Sequence, residues 1–263
     1  MNILYLSTEI SPYAVVGGLA QVTAALPRAT RALGEDVRVM LPRYGLIPPQ
    51  QRGLKQVLAH FDVPIGQGVE SAALWQAPDP DLPIYFIENQ RLFGSRSGIY
   101  NFYDDGERFI FYSRAALEAA RQLGWRPDIL HCNEWQTALI PNWLRTLYRD
   151  DPFFARAASV YTIHNLSHHG IFGAHELHLA GLDEQGFLSH PEIPDEQNQA
   201  LNMMARGIIF ADLITASPET SSSDPLAPLL QDRHEHFVRI QHSGQKAAQA
   251  YVQLYQRAQN LKL

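Results

Sequence analysis

Short apolar runs alternate with segments of helical periodicity along most of this chain, and that alternation admits few folds. Asn2-Ile3-Leu4-Tyr5-Leu6 is an apolar run of strand length. A loop with Pro12 and Gly17-Gly18 follows, and then Leu19, Val22, Leu26, Ala29 and Leu33 recur at helical spacing. Pro27 falls inside that pattern and predicts a kink. Gly34 suits a helix C-terminus, and Val37 to Leu41 reads as a second strand. A strand–helix–strand unit of this kind implies a parallel pair joined by a right-handed crossover. Residues 54–62 and 70–88 read as shorter strands in an antiparallel excursion, clearest at Ile84 to Ile87. Helical spacing returns from Gly106 to Leu123, with Phe109, Tyr112, Ala116, Ala119 and Leu123 on one face. Three further strands, at Ile129 to His131, Ser159 to Ile163 and Leu213 to Thr215, alternate with helices at about 135–148 and 196–210. The expected fold class is α/β, a doubly wound, Rossmann-like parallel sheet.

With 263 residues the chain can hold one large α/β domain or two small ones. Ser221-Ser222-Ser223-Asp224-Pro225 is its one linker-like stretch. Beyond it Phe237, Ile240, Ala247, Tyr251, Leu254, Tyr255 and Ala258 suggest helices with an apolar stripe, separated at Gly244. The expected organisation is a domain over residues 1–218, a linker over 219–232, and a helical tail over 233–263 that docks on the same domain. A net charge of -6 and the lack of any Lys/Arg run argue against a nucleic-acid partner. The single cysteine, Cys132, allows no internal disulfide and suits a reducing compartment. No apolar run approaches the ~20 residues of a membrane span, so a soluble, cytoplasmic protein is expected.

Chemistry concentrates after the strands. Gly17-Gly18 stands between a strand and a helix, where glycine lets a backbone approach a phosphate and the helix N-terminus favours an anion; a plain tight turn is the other reading. His131-Cys132-Asn133-Glu134-Trp135 ends a strand and starts a helix, the edge at which such sheets collect ligands. Glu134 there can accept from a sugar hydroxyl or cap the helix start. His164, His168, His169, His175 and His178 are closely spaced, but no Cys or acidic set completes a metal site, and none is expected. No cofactor is expected either.

Several of these runs resemble the bacterial glycogen and plant starch synthases. Ser7-Thr8-Glu9, Pro12-Tyr13 and Gly17-Gly18-Leu19-Ala20 look like the family's opening S-x-E-x-x-P-x-x-K-x-G-G-L-A-D-V, with Val15 in place of its lysine and Gln21 in place of its aspartate. Arg91, Tyr100 and Asp105 through Phe109 continue the likeness. His131 to Thr137 is similar to H-x-H-D-W-Q/H-T, with Asn133 and Glu134 as the departures. Thr162-Ile163-His164-Asn165-Leu166 is similar to T-I/V-H-N-L, whose histidine contacts the transferred glucose. Asn202 to Ile208 resembles N-F-L-K-G-G-I, with Ala205 for the lysine and Arg206 beside it. Ala247 to Tyr255 resembles the family's last helix, which packs back on its first domain.

The family are two-domain retaining glucosyltransferases of GT-B fold that extend α-1,4-glucan from ADP-glucose. The resemblance implies His164 and Glu134 as catalytic candidates and Gly17, Gly18, Asn133, Asn165, Arg91, Tyr100 and Arg206 as substrate-binding candidates. It also implies that the second domain, which holds most of the diphosphate, has no counterpart in these residues. A first-domain-only homologue without stand-alone transfer is therefore expected, binding α-glucan or acting as an accessory to a partner protein. Two alternatives stay open: a transferase completed by a separate domain or a dimer that covers the open cleft, and a regulator that binds the sugar nucleotide ADP-glucose.

Overall fold

The structure, a computed structural model, describes residues 1–218, 223–241 and 244–262. Its elements in chain order are β1 (Asn2–Leu6), α1 (Leu19–Ala32), β2 (Asp36–Pro42), α2 (Pro49–Arg52), β3 (Lys55–Ile65), β4 (Gly68–Gln76), β5 (Ile84–Glu88), α3 (Asp105–Gln122), β6 (Ile129–Asn133) and α4 (Leu139–Arg145). They continue with β7 (Ala158–Ile163), β8 (Ile171–Phe172), α5 (Ala174–Leu179), α6 (Pro194–Gln197), β9 (Leu201–Asn202), α7 (Met203–Phe210), β10 (Leu213–Ala216), α8 (Ala227–Asp232), β11 (Phe237–Arg239) and α9 (Gln245–Lys262).

Nine strands form one sheet in the order β11-β10-β7-β6-β1-β2-β5-β4-β3. From β11 to β5 every pair is parallel, and β3 and β4 add an antiparallel hairpin at the edge. The chain winds outward from β1 through β2 to β5, then returns to β6 and winds the other way. The fold is the expected α/β class. Its switch point lies between β1 and β6, where open sheets bind ligands beyond the carboxyl ends of their strands. The central strands are buried on both faces, β6 and β7 over every residue, which is why they read as unbroken apolar runs rather than as alternations. Strand alternation sorts the helices into two layers. In β7, Thr162 meets Tyr251 of α9, whereas Tyr161 abuts Gly207 of α7 so closely that a Cβ there would lie 2.8 Å from the ring.

Two sequence expectations differ from the structure. The helix expected over 196–210 is broken: α6 ends at Gln197, Gln199 takes a φ of 63°, and β9 pairs with β8 before α7 begins. Asn202 explains the restart, since its side chain accepts from the Ala205 N–H as an N-cap. Phe237 to Arg239, expected as helix, forms β11 and lengthens the parallel sheet beside β10. Within the stretch expected as a linker, residues 219–222 lie outside the described residues, and Ala227–Asp232 is helical with Leu229 and Leu230 buried.

The final helix packs on α1 and β7. Ala247, Ala248, Tyr251, Tyr255 and Ala258 form its buried stripe, at the spacing one helical face requires. Its two tyrosines also bring polar atoms into the core. The Tyr255 hydroxyl shares a 2.7 Å hydrogen bond with His131 Nδ1, and His131 Nε2 shares another of 2.7 Å with Thr162 Oγ1. Tyr251 stacks on the His131 ring and meets Thr215 Oγ1 at 3.1 Å. His131 is thus a buried polar tie between helix and sheet.

Candidate functional site

The loops that follow β1, β6, β7 and β10 enclose a cavity of about 680 Å³. The turn after β1 supplies Glu9, and the start of α1 supplies Gly17, Gly18 and Leu19. Tyr100 and Asp105 close one side, and Glu134, Trp135, His164 and Asn165 form the floor and the far wall. The cavity therefore brings together His164, Glu134, Gly17, Gly18, Asn165 and Tyr100 from the sequence-derived set.

Glu134 organises the floor. It stands at the end of β6 with φ 62° and ψ 174°, a backbone region that costs a non-glycine residue roughly 1–3 kcal/mol. That conformation turns its carboxylate across to the next strand. Glu134 Oε1 accepts the backbone N–H groups of His164 (2.5 Å) and Asn165 (2.9 Å). Burial raises its pKa from 4.5 to about 7; the two N–H groups pull the other way, and the charge on Glu9 adds to the rise. A carboxyl poised near neutrality can hold or release a proton at ordinary pH.

Asn133 does not line the cavity. It is fully buried, and its Oδ1 accepts from His164 Nε2 at 3.0 Å and from the Tyr5 hydroxyl at 3.2 Å. Asn133 Nδ2 donates to the Leu6 carbonyl at 2.9 Å. It positions the His164 ring and sets the proton on Nε2. Asn165 Nδ2 donates to His168 Nδ1 at 2.8 Å, at the exposed lip.

The glycine turn behaves differently from a plain phosphate loop. Glu9 Oε2 accepts the N–H groups of both Val16 and Gly17 at 2.8 Å, so the protein's own carboxylate occupies these donors. Glu9 Oε1 takes the Tyr100 hydroxyl at 2.9 Å, and Tyr100 also shares a 2.6 Å hydrogen bond with Thr8. Nothing in the fold demands glycine here: a Cβ at Gly17 or Gly18 would meet no atom within 4 Å. Gly170 is the opposite case, with φ +67° and its Cβ position 2.5 Å from the Trp135 ring, so a side chain there would collide with an indole that lines the cavity.

Arg91 and Arg206 are placed outside the cavity. Arg91 is half exposed and bridges Glu70 (2.5 Å) and Glu107 (2.7 Å). Arg206 is fully buried, and its guanidinium makes five hydrogen bonds: two to Glu196, and one each to Asn142, Gln185 and the Gly186 carbonyl. A fork with its donors so engaged is a structural clamp. No arginine or lysine is among the described residues that line the cavity. Among the described residues no group of three or more His, Cys, Asp or Glu could hold a metal ion.

Two carboxylates that line the cavity, Glu9 and Asp105, were not in the sequence-derived set. Glu9 carries a signal in its position directly after the first strand. Asp105, which accepts from the Asn101 N–H and pairs with Arg108, carries one in the family likeness of residues 105–109.

Comparison with known proteins follows the same outline. A family model described as starch synthase catalytic domain matches residues 2–237. The chain is similar to glycogen synthase 2 of Geobacter sulfurreducens, 40% identical over 233 residues that cover 87% of this chain and 47% of that protein. It is similar also to glycogen synthase of Bacillus subtilis, 38% identical over 240 residues, 91% of this chain and 49% of that protein. Among solved structures it resembles the catalytic domain of starch synthase IV from Arabidopsis thaliana bound to ADP and acarbose, with a TM-score of 0.81 and 30% identity over 91% of this chain and 51% of that one. The chain spans about half the length of these relatives. No helix among the described residues is long and apolar enough to cross a membrane.

Proposed function

The chain belongs to the starch synthase catalytic domain family, and on that premise we propose that its cavity binds glucose units of an α-glucan, while glucosyl transfer from ADP-glucose needs groups that these residues do not bring to it. One observation carries the reading. The cavity offers Glu9, Asp105, Glu134, His164 and Asn165, but no cation, and the N–H groups of the glycine turn are already held by Glu9. A neutral polyol finds acceptors and donors on such a surface. A diphosphate finds negative charge, and stabilising its departure is mainly an electrostatic task. The same feature weighs against a regulator that senses the nucleotide sugar through this turn. The similar Arabidopsis starch synthase domain holds both ADP and acarbose, and the acarbose part of that pair is what this chain's chemistry suits.

A second reading is an active transferase completed by another domain or a second copy. It is favoured by Glu134, whose carboxyl titrates near neutrality directly behind the backbone of His164. Affinity electrophoresis in glycogen-containing gels, run beside a transfer assay with labelled ADP-glucose, separates the two. Retardation by glycogen, its loss in His164→Ala, and no turnover by the purified chain are the expected results. Turnover by the purified chain would establish the second reading, and no retardation at all would sink the first.

A further inference from the structure

Tyr100, Asn101 and Asp105 form one wall of the large cavity, and the turn between them holds out a tyrosine. Asn101 takes φ 71°, the left-handed region that asparagine tolerates better than most residues. The chain then turns over Phe102 to Asp105. The Asp105 N–H donates to the Phe102 carbonyl at 3.1 Å, and the Asn101 N–H donates to Asp105 Oδ2 at 2.9 Å. Tyr103 occupies the corner of that turn. It is 94% exposed, more than any other large hydrophobic side chain among the described residues.

The residues on either side of Tyr103 are braced. The guanidinium groups of Arg96 and Arg108 lie over the Phe102 ring, 5.2 and 4.6 Å from its centroid. Asp104 is buried and pairs with Arg96, and Asp105 pairs with the fully buried Arg108. Arg108 also donates to the Leu92 and Ile99 carbonyls at 2.7 and 3.1 Å, which roots the turn in the domain. A lone exposed apolar residue on a loose loop needs no explanation. A phenol held out by an anchored turn differs, because little further freedom is lost when a ligand meets it. Its place also matters. Tyr103 is two residues from Asn101 and two from Asp105, so no more than about 7 Å of chain separates it from the cavity lining on either side.

We propose that Tyr103 is an aromatic platform for the part of an α-glucan chain that lies outside the cavity, an inference that rests on the reading that the cavity holds glucose units. A polymer seated in an open cavity has to leave across its rim. The C–H groups on one face of a glucose ring make an apolar surface that packs on the flat face of an aromatic ring, while its hydroxyls point outward to water. Tyrosine suits the task, since it offers a large amphipathic contact with few torsions to immobilise. Trp135 presents an indole inside the cavity, so the chain meets one aromatic surface within and another on the rim. Both contacts are uncharged, which suits a neutral polymer and makes its binding insensitive to salt.

The test is calorimetric titration of the full chain with maltotriose and with maltoheptaose, for the parent and for Tyr103→Ala, Tyr103→Trp and His164→Ala. The parent is expected to bind the longer sugar about three- to tenfold more tightly than the shorter one. Tyr103→Ala should remove that advantage without moving the melting temperature, because the exposed ring adds little to the packing, and Tyr103→Trp should keep it. His164→Ala should weaken both sugars. An advantage that survives Tyr103→Ala overturns the platform and leaves the cavity reading standing. Binding that Tyr103→Ala weakens and His164→Ala does not would keep the platform and sink the cavity reading. No binding of either sugar by the parent would overturn both.

Discussion

The two ends of the parallel strands carry opposite chemistry. Beyond the carboxyl ends of β1, β6, β7 and β10 lies a wide cavity that carries, among the described residues, three carboxylates and no arginine or lysine; at the amino ends of β7 and β10 lies a smaller one lined by Arg145 and Arg233, with Asp212 paired to Arg145. The difference follows from the direction of the chain. Helix N-termini converge at one end and helix C-termini at the other, and each end attracts side chains of complementary charge. Glu9 accepts the N–H groups that lead into α1, and Arg233 donates to the carbonyls that end α7. At the carboxyl end the complement is complete, so what remains is a polar, hydroxyl-seeking surface. At the amino end the basic side chains are likewise taken up, by those carbonyls and by Asp212.

That contrast can be broken or sharpened by substitution. The largest effect is expected from Arg206→Met, which removes the clamp that joins α7 to α6 and leaves Glu196 as an uncompensated buried charge. Urea denaturation should show a loss of about 3–5 kcal/mol. A loss under about 1 kcal/mol would mean that neither end depends on this frame. Next comes Glu134→Gln, which keeps the acceptor for the His164 and Asn165 N–H groups but removes the titration. In the native protein the folded-state pKa of about 7 exceeds the ordinary 4.5, so the folded chain holds the proton more tightly. Stability should therefore fall as pH rises from about 4.5 to 7, by an amount on the order of 3 kcal/mol at most, and level off above. The glutamine variant should flatten that slope. An unchanged slope would assign it to other groups.

Tyr255→Phe should cost about 1–3 kcal/mol, since it leaves buried His131 Nδ1 without its tail partner. A neutral result would show the last helix to be held by its apolar stripe alone. Smallest in stability terms is Gly17→Ala, expected to stay within about 0.5 kcal/mol of the parent, because the added methyl meets open space. Weakened retention by glycogen at unchanged stability would place ligand against that turn; unchanged retention would move the glucan away from the glycines.

The strands of the central sheet were legible because each is buried on both faces and reads as a short apolar run between turn residues, as at Ser159 to Ile163. The break at Gln199 and the strand at Phe237 to Arg239 were not. A two-residue pairing such as β8 with β9, and an edge strand of three residues, depend on which neighbour is at hand, and local pattern says nothing about that. In the site, Gly17, Gly18, Glu134, His164 and Asn165 were legible because each lies just beyond a strand whose carboxyl end faces the switch point. Arg91 and Arg206 entered through the family resemblance alone, and long cationic side chains go where carboxylates are: Glu70, Glu107 and Glu196 come from other parts of the chain.

The order of residues alone determined the α/β class, the position of the glycine turn and the set of polar residues that crown the strands, since all three follow from local periodicity and from which residues interrupt it. Only the tertiary structure decided how those groups are used. It turned Glu134 across to the backbone of His164, gave Glu9 to the turn that a phosphate could have occupied, drew Arg206 into the core and set Arg233 on the carbonyls that end α7. Each of these depends on burial and on partners far away in the chain, and those exist only once the sheet has brought the strands side by side.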